Sequence, residues 1–66
     1  MTQDDAYRMI QGFARAGVRC HMQRTTDNAW DVILDDRRLP RARTIHDLAG
    51  GRAEWRALQR EGFIAA

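Results

Sequence analysis

The sequence predicts an α+β domain: α-β-β-(β)-α, a small antiparallel sheet with both helices packed on one face. Three patterns carry this expectation. An apolar stripe at helical spacing opens the chain. A two-residue alternation follows from Val18 to Gln23. A second helical stripe runs from Ile45 to Leu58. With 66 residues the chain fits one domain, 1–66.

The first helix has Thr2 or Asp4 as candidate caps, and Asp4 and Asp5 suit the positive end of its dipole. Ala6, Met9, Ile10, Phe13 and Ala14 share one face, with Arg8, Gln11 and Arg15 on another. Gly17 is the expected terminator. Val18, Cys20 and Met22 then alternate with Arg19, His21 and Gln23, the period of a half-buried strand. Polar Thr25 to Ala29 reads as a hairpin loop, and Trp30 to Leu34 as the second strand, with Trp30, Val32 and Leu34 on the core face. Asp35 to Arg38 reads as a turn. A short third strand is expected through Leu39 to Arg43, held to an edge by Pro40.

Thr44 with Asp47 resembles a capping box for the second helix. Ile45, Leu48, Gly51, Trp55 and Leu58 form its apolar stripe. Gly50-Gly51 lowers helix propensity by ~2 kcal/mol, so close approach to the sheet or a break in the helix is expected there. Gly62 suits a left-handed cap, with Phe63 packing back on Leu58. Trp30 and Trp55 are assigned to the core.

A 44% hydrophobic and 30% charged composition is that of a folded protein. No apolar run is long enough to cross a membrane, and acidic Asp4-Asp5 is unlike a secretory leader. With one thiol, Cys20, this points to a cytoplasmic setting and excludes an internal disulfide.

Catalytic constellations fail on geometry. Cys20 and His21 are adjacent on a strand, so they point to opposite faces, and Cys20 belongs to the apolar one. His21 and His46 lack a partner at zinc-ligand spacing. Asp31, Asp35 and Asp36 offer oxygens for Mg²⁺, but Asp35-Asp36 beside Arg37-Arg38 reads more simply as a charged turn. Gly50-Gly51 lacks the surroundings of a phosphate loop. No enzyme activity, metal or cofactor is expected.

The basic residues are more informative. All eleven are arginine, while the net charge is only +2. Codon composition is one explanation; anion and interface contacts are the other. Arg52, Arg56 and Arg60 repeat every four residues and form one ridge on the second helix. Arg37, Arg38, Arg41 and Arg43 cluster just before it. These seven are the candidate partner-binding residues.

The order of elements resembles that of double-stranded RNA-binding domains. That family places a basic Lys-Lys-x-Ala-Lys motif at the start of its second helix. The corresponding stretch here, Ile45-His46-Asp47-Leu48-Ala49, has no cation other than His46. The short, lysine-free α/β chain is also similar in type to small phage or mobile-element proteins that bind and block a host complex. The functional expectation is a non-enzymatic regulator or inhibitor, such as an inhibitor of host defence. It would dock through its arginine surface, or the exposed strand face, on an acidic patch of a larger protein or nucleoprotein complex. Direct nucleic-acid binding through the same arginines is the alternative, and an exposed edge at Leu39 to Arg43 offers a route to a homodimer.

Overall fold

Thr2 starts the first helix. In the computed structural model, which describes all 66 residues, its hydroxyl oxygen accepts the Asp5 N–H at 3.1 Å. Helix α1 runs Gln3–Arg15. It ends in a Schellman motif: Gly17 sits at φ +86°, its N–H donates to Ala14 O (3.0 Å), and the Val18 N–H donates to Phe13 O (2.9 Å). Strand β1 (Cys20–Arg24) and strand β2 (Trp30–Leu34) form the expected hairpin. The Thr25 N–H donates to Ala29 O at 2.8 Å across the loop, and Asn28 takes a positive φ of 62° within it.

Strand β3 is Arg43–Ile45, which is a correction: Leu39 to Arg43 does not form the third strand. The Leu39 N–H closes a turn onto Asp36 O (3.0 Å), and Leu39 buries its side chain from that turn. Pro40, without an N–H, follows it. Pairing begins at Arg43↔Leu34 and continues through Thr44↔Ile33 and Ile45↔Val32. Thr44 is therefore in the ladder and not in a capping box, and Ile45 belongs to the sheet rather than to the second helix. β-branched Thr and Ile favour a pleated surface.

Asp47 caps helix α2 (Leu48–Arg60) instead, its carboxylate accepting the Gly50 N–H at 2.6 Å. The helix is continuous across Gly50-Gly51. Gly51 does serve a close approach, but to α1 rather than to the sheet. A Cβ there would lie 2.9 Å from the Met9 sulfur. Gly62 (φ +85°) ends the element as expected, and the Phe63 N–H donates to Leu58 O at 2.9 Å.

The sheet order is β1-β2-β3, antiparallel throughout. The α-β-β-β-α order and the small α+β class agree with the sequence reading. Nine apolar side chains from both helices, the sheet and the connecting segments form one core. Ala6, Phe13, Val32, Leu34, Ile45 and Leu58 are almost completely enclosed. Cys20, Met22, Trp30 and Trp55 pack against that core but are only half-buried. Two members of the expected stripes lie outside it. Ala14 is exposed, and Leu48, one residue after the α2 cap, is 47% exposed. The Met1 N-terminal ammonium donates to Trp30 O (3.0 Å) and His46 O (3.1 Å), which ties the chain start to the sheet.

Leu58, at 0% exposure, is the central α2 contribution to this core. Leu58→Ala should remove ~2–5 kcal/mol, comparable with the whole stability of so small a domain. Circular dichroism at room temperature should show a largely unfolded chain; a native spectrum with an unchanged melting temperature would contradict the packing described.

Candidate functional site

The seven candidate arginines divide into two groups. Arg43 sits opposite Leu34 on the helix-covered face of the sheet, at its edge. Its guanidinium reaches α2 and donates to Glu54 (3.1 Å) and Glu61 (3.0 Å). The bond to Glu61 is a two-pronged fork, which is the geometry arginine favours with carboxylates. This raises the guanidinium pKa and lowers that of Glu61, with the shared hydrogen bond the main cause of both shifts. Arg38 is engaged as well. It donates to Asp36 through Nε (2.9 Å) and Nη2 (3.0 Å), reaches Gly17 O (3.0 Å), and stacks 5.1 Å from the Phe63 ring centre. These two residues brace the fold with the charge that the sequence reading assigned to a partner.

The other five remain open. Arg37, Arg41, Arg52, Arg56 and Arg60 are exposed, and none has a carboxylate oxygen within 4.0 Å. Helical geometry explains the difference on α2. Glu54 and Glu61 are seven residues apart and share the flank turned to β3, where Arg43 takes both. Arg52, Arg56 and Arg60 run along the other flank at four-residue spacing. Of the loop residues, Arg38, between Arg37 and Arg41 in the chain, stacks on Phe63, three residues beyond Arg60.

A second feature escaped the sequence reading. An open groove of about 460 Å³ lies between the two helices. From α1 it is lined by Asp5, Arg8, Met9, Gly12 and Phe13; from α2, by Leu48, Gly51, Arg52 and Trp55. Phe13 and Trp55 meet across it, ring centres 5.4 Å apart and planes tilted by 51°. Arg8 and Arg52 stand on opposite helices, each without a carboxylate partner. The available signal was Gly12, a glycine in a helix interior four residues after Arg8.

The remaining chemistry-bearing groups are paired locally. His46 meets Asp31 and His21 meets Asp35, each at 3.0 Å, on the sheet face opposite the helices. Arg19 lies 3.8 Å from Asp35. No three His, Cys, Asp or Glu side chains come together as a metal site. The Cys20 thiol donates to Ile10 O at 3.6 Å. Burial, and then the Asp35 charge, push its pKa up, so it stays protonated at neutral pH. The start of α2, where the RNA-binding family carries its basic motif, presents the acidic cap Asp47 and exposed Leu48. No helix is long and apolar enough to cross a membrane.

Asp36 yields a pH prediction. The Arg38 side chain, followed by the Arg19 and Arg38 N–H groups, holds its carboxyl well below the usual carboxylate range. A lowered native pKa stabilises the fold above the unfolded value of about 4 and is lost as acid protonates the native group. The melting temperature should therefore fall between about pH 5 and about pH 2. Asp36→Asn should lower it at neutral pH and flatten that acid-side slope; an unaltered slope would exclude the Asp36 contacts as its source.

Compared with protein-family models, curated proteins and solved structures, the chain matches none.

Proposed function

We propose that this protein is a non-enzymatic binding protein, a regulator or inhibitor. It docks on an acidic surface of a larger protein or nucleoprotein complex through Arg52, Arg56 and Arg60, with Arg37 and Arg41 extending the contact. The observation that carries this reading is the unneutralised ridge. Three guanidinium groups at successive four-residue spacings repel one another by ~0.2–0.5 kcal/mol per pair. The carboxylates of the same helix are turned away and taken by Arg43. A surface kept unfavourable for the isolated protein is relieved by an anionic partner.

Two further observations support a protein partner over nucleic acid. The ridge borders an apolar groove with half-buried Trp55 and exposed Leu48, and arginine beside aromatic and aliphatic side chains is the composition of protein interfaces. The overall charge of +2 is also small for tracking a phosphate backbone. The protonated, half-buried thiol supports a role without a cysteine nucleophile.

Arg56→Glu separates binding from folding. It converts two repulsive pairs into two attractive ones and should stabilise the helix by ~0.5–1 kcal/mol, while sharply reducing partner recovery in a pull-down from the source organism. Undiminished recovery by this variant would refute the ridge as the contact. Filter binding with single- and double-stranded DNA and RNA at two salt concentrations tests the alternative. We expect no retention at micromolar protein; tight retention that weakens steeply with salt would instead mark phosphate contacts.

A further inference from the structure

We propose that the groove between α1 and α2 is a helix-docking site for an acidic amphipathic segment of the partner. The apolar face of that segment would fill the groove, and its carboxylates would pair with Arg8 and Arg52. This rests on the reading that the arginine surface meets an acidic protein, since Arg52 belongs to both ridge and groove.

The groove has an apolar floor, made chiefly by Met9, Phe13 and Trp55. Its volume of about 460 Å³ accommodates several side chains. Its rim is charged in a way that selects the occupant. Arg8 and Arg52 are exposed on the two helices and neither has a carboxylate partner, whereas Asp5 is the single acid present. An apolar trough between guanidinium groups complements an apolar helix face bordered by Asp or Glu. Arginine pairs such carboxylates bidentately.

Gly12 is the second observation. A glycine inside a helix is less favourable than alanine by ~1 kcal/mol. At Gly51 the approach of Met9 accounts for it; at Gly12 nothing within the protein does. A Cβ built there meets no atom within 4 Å, its φ is not left-handed, and it opens into the groove. The missing side chain leaves the trough deep at no benefit to the fold, and an occupant supplies the benefit.

The same lack of neighbours provides a clean test. Gly12→Leu should fill the groove and raise the melting temperature through better helix propensity, so lost binding cannot be blamed on unfolding. The probe is a labelled peptide of about fourteen residues, with leucines at i, i+3, i+4 and i+7, glutamates at the positions flanking that stripe and alanines elsewhere, which favours a helix. A scrambled peptide of the same composition and an oligothymidine of about twelve nucleotides are compared with it, and binding is read by fluorescence anisotropy. The expected result is preference for the helical peptide, weakened at least ~10-fold by Gly12→Leu, the loss of one well-placed apolar contact set. Equal binding of the scrambled peptide, or equal affinity of Gly12→Leu, would overturn the proposal. So would Gly12-sensitive binding of the oligonucleotide. A concentration-dependent dimer in light scattering that Gly12→Leu abolishes would assign the groove to a second copy and also overturn it. Arg56→Glu/Arg60→Glu distinguishes the two readings. If it abolishes partner capture while Gly12→Leu does not, the ridge stands and the groove fails; the reverse pattern upholds the groove without the ridge.

Discussion

The Arg43 fork is the interaction on which both the architecture and the surface depend. β3 is only three residues long and pairs with β2 through a short ladder, so α2 needs a further tie to the sheet edge. Arg43 provides it by reaching Glu54 and Glu61, positions two helical turns apart. The guanidinium is one-quarter exposed, so solvent screens these pairs and they contribute more to orientation than to stability. Their larger effect is on charge. By taking Glu54 and the cap residue Glu61 on one flank, Arg43 leaves the other flank with three arginines, none of them within 4.0 Å of a carboxylate oxygen.

Arg38 plays a related part at the same end of the sheet, just beyond the Leu34–Arg43 pairing. It links the turn after β2 to the carbonyl that ends α1 and to Phe63 beyond α2. Asp36 receives that side chain together with two backbone N–H groups, so one carboxylate gathers four donors from the turn and the start of β1. A domain of 66 residues buries too little apolar surface to rely on its core alone, and polar clamps of this kind fix the relative positions of its ends.

The helices meet where side chains are smallest or flattest. Gly51 admits the Met9 thioether, and Phe13 tilts against Trp55. The close approach at Gly51 and the open space at Gly12 are different uses of glycine on facing helices. The first draws the helices together; the second leaves a trough beside the contact. The result is an apolar channel joined to the arginine ridge through Arg52, so recognition by charge and by shape can share one face.

Local pattern determined the element order and most of the core. The alternation from Val18 to Gln23, the helical stripes and the glycines at Gly17 and Gly62 are short-range constraints; the glycines end both helices as the sequence implied, the strand begins at Cys20, and the stripes hold except at Ala14, Ile45 and Leu48. The expectation failed between Leu39 and Asp47, where neighbouring preferences compete. Thr44 suits a cap or a strand, and only the ladder with Ile33 decides between them, which moves the cap to Asp47. The functional surface divides the same way. Four-residue spacing alone places Arg52, Arg56 and Arg60 on one ridge, because helical periodicity is local. Which arginines keep their charge free, and that Arg8 shares a groove with Trp55, depend on residues distant in sequence. Only tertiary packing brings Glu54 and Glu61 to Arg43, and α1 against α2.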